Sequence, residues 1–220
     1  MADCTLRRTM GERRIDHPVF AALYDRFMPD RFLIGPHREY LAADLSGRVL
    51  DLGAGTGAMI PYVADAGGDD LEYHAIEPDP NMLRRAAATA DRSSMQVRLR
   101  DDRAESLPYA DDAFDAVLSS LVFCTIGDPD AALDEVARVL GPGGELRFLE
   151  HVRNDGRRAR TQDRLNPVWE RAAAGCQLNR ETVERFVAHD AFDILEIERL
   201  RLGLFPATPI VRGRLRRRRD

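Results

Sequence analysis

In this 220-residue chain, residue type and spacing point most directly to chemistry in Asp51-Leu-Gly53-Ala-Gly55-Thr-Gly57. Glycines let a backbone turn tightly and approach a ligand closely, and a helix starting behind them offers unpaired N–H groups. Gly53, Ala54, Gly55, Thr56 and Gly57 are therefore expected to cradle a nucleotide-type ligand. Dinucleotide enzymes use G-x-G-x-x-G, with the pyrophosphate against the helix. Here the glycines fall at every second residue, and an acid precedes them. A carboxylate at Asp51 would repel a pyrophosphate but suits an ammonium group. S-adenosylmethionine carries that ammonium, a carboxylate and no phosphate. Next in line comes Ala75-Ile76-Glu77-Pro78-Asp79. An acid such as Glu77 at a strand end can accept hydrogen bonds from both ribose hydroxyls. The bland readings are a glycine turn without a ligand and a solvated glutamate.

The elements that must position these residues follow from periodicity. Arg48–Leu52 is a short apolar run ended by glycine, which predicts a buried strand. Thr56–Asp65 is expected to be helical, Leu71–Ile76 a second strand and Pro80–Ala90 a second helix. Gln96–Arg100 and Ala113–Ser119 predict strands three and four. Asp128–Leu140 predicts a helix, with Asp128 as N-cap before Pro129. Pro142-Gly-Gly144 should turn the chain into a fifth strand, Glu145–Glu150. Helices are expected at 160–174 and 180–189, and closing strands at 192–202 and 205–211. Two helices meeting near Pro29 precede all of this. Strands alternating with helices imply an α/β fold with a doubly wound, mostly parallel sheet. The domain reading is an N-terminal helical lid over 1–45, a core domain over 46–211 and an Arg-rich tail over 212–220.

Composition narrows the chemistry. Hydrophobic residues make up 44 % and charged residues 31 %, as in an ordinary globular domain. The chain contains no lysine, so P-loop, Schiff-base and Tyr/Lys dehydrogenase chemistry are excluded. Net charge is −5, yet residues 212–220 hold six Arg and one Asp, leaving an acidic body that does not suggest nucleic-acid binding. The tail has three readings: a solvated end, preferred, then an anionic membrane surface, then nucleic acid. No apolar run reaches the roughly 20 residues of a membrane span, and no secretion signal is visible. Cys4, Cys124 and Cys176 are odd in number and far apart, so neither a disulfide framework nor a Cys-x-x-Cys metal or redox site is expected. A reducing, cytoplasmic setting follows, with no metal.

Several motifs stand in order: V-L-D-L-G-A-G-T-G from Val49, A-I-E-P-D from Ala75, A-E-S-L-P-Y from Ala104, D-D-A-F-D from Asp111 and E-V-A-R-V-L-G-P-G-G from Glu135. As a set they resemble the class I S-adenosylmethionine-dependent methyltransferases, in the branch of the menaquinone/ubiquinone-type C-methyltransferases. S-S-L-V-F-C-T-I, F-L-E-H-V-R, N-P-V-W and A-G-C-Q-L-N-R are further similar to the methyltransferase-like thiol S-methyltransferases. The resemblance implies a Rossmann-like seven-stranded sheet, S-adenosylmethionine as cofactor and the N-terminal helices as a lid. It assigns Asp51, the glycine loop, Glu77 and Pro78 to the cofactor. The family's adenine contact precedes Ala-Glu-x-Leu-Pro as an Asp, but here Arg103 stands there. Asp102 and the backbone of Ala104 take that role in this reading. Ser119 to Leu121 should close over the methionine end, although Leu121 and Val122 also read as core.

The sulfonium methyl needs no activation, so in-line geometry is the main requirement. The acceptor is expected to be a small hydrophobic molecule, a thiol or a quinone-like carbon. A thiol largely supplies its own nucleophile. No catalytic residue is assigned. His151 and Cys124 are the candidates, against a structural histidine on a loop carbonyl and a buried inert thiol. Tyr24, His37 and Tyr40 are candidates on the lid helices, Trp169 and Phe123 as pocket walls. The competing whole-protein readings are a nicotinamide-dependent oxidoreductase, a nucleic-acid methyltransferase lacking its Pro-Pro-aromatic motif, and a non-catalytic S-adenosylmethionine-binding module.

Overall fold

The computed structural model describes residues 15–27, 33–68, 70–200, 202 and 204–219. Its elements are α1 (Pro18–Phe27), α2 (Gly35–Ala42), β1 (Arg48–Leu52), α3 (Ile60–Ala66), β2 (Glu72–Ile76), α4 (Pro80–Ala90), β3 (Val97–Arg100), β4 (Phe114–Ser120), α5 (Pro129–Val139), β5 (Leu140–His151), α6 (Gly156–Ala172), α7 (Thr182–Ala188), β6 (Phe192–Leu200) and β7 (Ile210–Arg217). The strands form one sheet in the order β3-β2-β1-β4-β5-β7-β6. β1 to β5 run parallel, and β7 pairs antiparallel with both β5 and β6.

β1 is central because both of its faces are apolar. Val49, Leu50 and Leu52 are all fully buried, as a strand covered on two sides requires. Leu50, Leu52, Val117 and Phe148 pack on one face with Leu133 and Val136 of α5. Val49, Leu118 and Leu149 pack on the other with Leu41 of α2 and Ile60 and Val63 of α3. The chain leaves β1 toward β2 and β3 on one side and returns to β4 and β5 on the other. A crevice therefore opens where the order reverses, at the carboxyl ends of β1 and β4.

Helix starts follow their caps. Asp79 Oδ1 accepts from Asn81 N–H at 2.8 Å, and Asp128 Oδ1 accepts from Ala131 N–H at 3.1 Å. Each cap contributes roughly 1 kcal/mol. α3 starts at Ile60, four residues later than the expected Thr56. Gly55 and Gly57 have φ of +59° and +82°, so the chain is still turning there.

The C-terminal segment departs furthest from expectation. Pro206 and Pro209 carry no N–H, and the stretch before Ile210 forms no strand. The last strand instead runs through the arginines to Arg217, so the expected tail boundary at 211/212 falls inside β7. Val211, Gly213 and Leu215 are buried, and the charged residues between them are paired. Arg212 meets Glu198 at 2.6 Å, and Arg214 and Arg216 meet Glu145 at 2.7 and 3.5 Å. Arg217 pairs with Asp112, and Arg218 with Asp193 at 2.8 Å. Arginine stems cover apolar surface while their heads stay paired or wet, which hides the alternation from a charge count.

The lid candidates also find other partners. Tyr40 donates to Glu196 Oε2 at 2.7 Å, and Arg212 lies 4.2 Å over its ring and 3.2 Å from His37 Nδ1. α2 is thereby fastened to the β6–β7 edge. α1 starts beside the site: His17 N–H donates to Asp79 Oδ2 at 2.7 Å. The side chain of Tyr24 and the helix meeting point at Pro29 lie outside the described residues.

A β-carbon at Gly213 would stand 2.4 Å from the Glu196 carbonyl oxygen and 2.7 Å from Phe148 Cζ. Gly213→Ala should therefore cost about 1–3 kcal/mol of stability by overpacking. Urea unfolding would measure it, and an unchanged midpoint would contradict the placement of β7.

Candidate active site

The glycine loop rises from β1 into α3. Gly53, Gly55 and Gly57 all hold positive φ, which only glycine adopts freely. Ala54 N–H donates to the Ile76 carbonyl at 2.8 Å, tying the loop to the end of β2. Gly53 and Gly57 have packing reasons: added β-carbons would lie 2.5 Å from Val122 Cγ1 and 2.8 Å from Ile60 Cδ1. Gly55 differs, because a β-carbon there would meet nothing within 4 Å. The loop thus presents open space at Gly55, at the crevice.

Glu77 closes this cradle from the β2 side. Its Oε2 accepts from Gly55 N–H and its Oε1 from Asp79 N–H, both at 2.8 Å. The residue is only 7 % exposed. Burial pushes its carboxyl up to about 7, against the pull of the Asp79 and Gly55 N–H groups. Asp51 sits at the foot of the loop, 1 % exposed, and its Oδ2 accepts from Tyr73 O–H at 2.8 Å. Burial raises it too to about 7, against Tyr73 and the Arg38 guanidinium. Two acids at adjacent strand ends give the crevice acceptors for hydroxyl or ammonium donors.

The remaining expected contacts gather along the same sheet edge, with differences. Asp102 follows β3 and accepts from Arg100 Nε at 2.7 Å, while Ala104 is buried in the next turn. Pro78 lies between Glu77 and the N-cap Asp79 and is half-buried. Leu121 has φ of +63° and donates its N–H to the Leu149 carbonyl at 2.7 Å. Thr56 is buried, and its carbonyl accepts from Thr89 Oγ1 at 3.0 Å. Ser119 is fully buried, and its hydroxyl donates to Glu150 Oε1 at 2.7 Å. That hydroxyl is turned into the protein, away from solvent. Glu150 also accepts from Val122 N–H at 3.0 Å, its other oxygen lacks a partner among the described residues, and burial raises its carboxyl.

Cys124 and His151 meet a third residue that the sequence reading did not assign. Cys124 follows β4, His151 ends β5 and Cys176 lies in the turn after α6. Their sulfur and imidazole nitrogen atoms lie within 4.8 Å of one another. His151 Nε2 is 2.9 Å from Cys176 Sγ, and Trp169 Nε1–H donates to the same sulfur at 3.4 Å. Hydrogen bonding from Cys124, and also from His151 and Trp169, holds the Cys176 thiol down to about 4. Donation to Cys176 and burial push the Cys124 thiol up. Burial pulls His151 down, but its contact with Cys176 outweighs this and leaves it raised. His151 is thus bonded to a sulfur, not to a loop carbonyl. Trp169 serves that sulfur, and Phe123 packs edge-on against Phe186 in the core. The cysteines lack Cys-x-x-Cys spacing, but folding closes the 52-residue gap that a reading along the chain left open.

Glu77 also sets a pH dependence. Between its ordinary value of 4.5 and about 7, the folded protein retains a proton that the unfolded chain has released. Stability of the ligand-free protein should therefore fall as pH rises through that window, by on the order of 2–3 kcal/mol from this group. Urea midpoints of Glu77→Gln between those pH values should be flatter than wild type. An identical slope would contradict the burial of an ionisable Glu77.

Comparison with known proteins places this geometry. Residues 50–148 match the family model described as "Methyltransferase domain". The chain is similar to the thiol S-methyltransferase TMT1B of Rattus norvegicus, 34 % identical over 61 % of this chain and 55 % of the relative. It is thus matched to about half the length of that relative. It is also 32 % identical to the glycine/sarcosine/dimethylglycine N-methyltransferase of Actinopolyspora halophila, over 56 % of this chain and 21 % of that one. Among solved structures, the putative methyltransferase complexed with the Haloferax volcanii Trm112 activator has a TM-score of 0.69. It covers 92 % of this chain and 99 % of its own at 18 % identity, a likeness of fold alone. Residues 50–148 thus carry the likeness to the methyltransferase-domain family, and the chain shares the α/β fold of the solved methyltransferase structures it resembles.

Proposed function

We propose that the protein is an S-adenosylmethionine-dependent methyltransferase acting on a small hydrophobic acceptor, with a thiol sulfur as the accepting atom. The observation that carries the cofactor part is the Glu77–Gly55 clamp beside the open space at Gly55. The donor set fits this cofactor. The buried acid Asp51 at the foot of the loop disfavours the pyrophosphate of a nicotinamide dinucleotide, and the chain lacks the catalytic lysine of Tyr/Lys dehydrogenases.

In this reading Gly53, Ala54, Gly55, Thr56 and Gly57 hold the amino-acid end of the cofactor by backbone contact. Asp51 supplies negative charge beneath its ammonium. Glu77 accepts from the ribose hydroxyls while keeping its N–H donors, and Pro78 turns the chain away behind it. Asp102 and the Ala104 backbone edge the adenine. The segment from Ser119 to Leu121 walls the methionine end by backbone and by the Leu121 side chain. When bound, the cofactor supplies a methyl group made electrophilic by the sulfonium. The protein's part is positioning: holding two reactants in line can account for ~7–11 kcal/mol of the barrier.

Support for a thiol acceptor comes from the similarity to a named thiol S-methyltransferase and from the chemistry. A thiol ionises near 8.5 and needs little help from a base, and no side chain at the crevice is committed as one. A quinone-like carbon is the second acceptor class. None of the described helices is long and apolar enough to cross a membrane. The ion-paired arginines of β7 argue against their use as a nucleic-acid or membrane contact, and a cytoplasmic setting is proposed on the sequence reading alone.

Labelled cofactor offered with alkyl thiols, demethylquinones and phospholipid amines tests the assignment. Methyl transfer to the thiols is expected; transfer only to amines would overturn the acceptor class. Glu77→Ala should weaken cofactor binding by about 1.5–3 kcal/mol, the loss of a charged hydrogen-bond acceptor. Wild-type affinity in that variant would remove Glu77 from the ribose.

A further inference from the structure

We propose that Cys124, His151 and Cys176 form a binding site for one thiophilic divalent cation of the zinc class, with a fourth coordination position left to water or an incoming ligand. This inference does not rest on the methyl-transfer reading. It rests on three ligand atoms that the topology gathers from far apart in the chain. The loop after β4 brings Cys124, the last residue of β5 brings His151, and the turn after α6 brings Cys176.

The donor set selects the ion. Two sulfurs and one imidazole suit zinc or a similarly soft cation rather than magnesium or calcium, which take oxygen ligands. Three protein ligands with one open position is the pattern of reactive rather than purely structural zinc sites. The spacing is also right. With zinc–sulfur bonds near 2.3 Å and zinc–nitrogen bonds near 2.0 Å, tetrahedral ligand atoms lie about 3.5–3.8 Å apart. Here they lie between 2.9 Å, for His151 Nε2 and Cys176 Sγ, and the 4.8 Å outer limit of the group. Shifts of an ångström or less reach the bound arrangement.

Surrounding hydrogen bonds hold the two cysteine ligands in place. Gln177 N–H donates to the Cys124 carbonyl at 2.9 Å, binding the turn that carries Cys176 to the loop that carries Cys124. Leu178 N–H donates to Asn166 Oδ1 at 2.7 Å, which ties that turn back to α6. Trp169 Nε1–H points at Cys176 Sγ, the kind of donor that orients a ligating thiolate. Cys124 and His151 are 2 % and 5 % exposed, whereas Cys176 is half-buried, so an ion enters from the Cys176 side.

Binding is a proton exchange with no change of oxidation state. The Cys124 S–H proton and the proton shared between His151 and Cys176 are released as two sulfur bonds and one nitrogen bond to the ion form. About two protons per ion are therefore expected.

The test uses the full chain carrying Cys4→Ser, since Cys4 lies outside the described residues and is a competing thiol. The protein is kept reduced with a phosphine and titrated with Co²⁺. A thiolate-to-cobalt charge-transfer band and the strong visible bands of a tetrahedral ion should saturate at one ion per chain. Zn²⁺ should then displace the cobalt, with about two protons released in calorimetry across buffers. Cys176→Ser and His151→Asn should each weaken Zn²⁺ by at least ~10-fold in competition with a chromophoric chelator. A weak, octahedral-type cobalt spectrum, no charge-transfer band, or unchanged affinity in Cys176→Ser would overturn the site. The spectrum of the Cys4→Ser chain with all three ligands intact decides the matter even if a ligand variant fails to fold.

Discussion

One carboxylate holds the cradle together. Glu77 stands at the end of β2 and accepts one N–H from the loop after β1 and another from the turn into α4. Burying an ionisable group with so little exposure is costly, and the two backbone donors offset part of that cost. In exchange, Gly55 is fixed in a conformation that only glycine holds freely, and the space next to it stays open. The Asp79 N–H that Glu77 takes belongs to the same residue that caps α4 and receives the N–H of His17, just before α1. Loop, strand, helix and N-terminal arm therefore meet at one acid. Asp51, one strand over, adds a second buried acid beneath the loop.

The sheet supplies the reason these groups meet. Parallel strands aim their carboxyl ends the same way, and the reversal between β1 and β4 leaves a gap there that no crossover fills. Everything assigned to the cofactor, together with the Cys124–His151–Cys176 cluster, is on that edge or one loop beyond it. The antiparallel β7 closes the sheet on the far side. It does so with ion pairs to β5 and β6, and it fastens α2 through Arg212 and Tyr40.

Much of this was legible in the residues themselves. β1 was read to both of its limits because its run is apolar on both faces. α4 was readable because Pro80 and Ala-rich spacing mark it, and the cap at Asp128 because a short acid stands before Pro129. The parallel order followed from the alternation of the elements. The misreadings have physical causes. The arginines of β7 carry a charge signal strong enough to mask Val211, Gly213 and Leu215 on the buried face. Cys176 gained its partners through two turns and a helix, a convergence that spacing cannot express, although the A-G-C-Q-L-N-R motif had already singled it out.

The most direct test of the central claim is calorimetric titration of the folded, reduced protein with S-adenosylmethionine and, separately, with NAD. One saturable site for S-adenosylmethionine and no heat from NAD is the result that the proposed cradle, with Asp51 beneath the loop and Glu77 at its side, predicts. Tighter binding of NAD, or no heat from either compound, would contradict it.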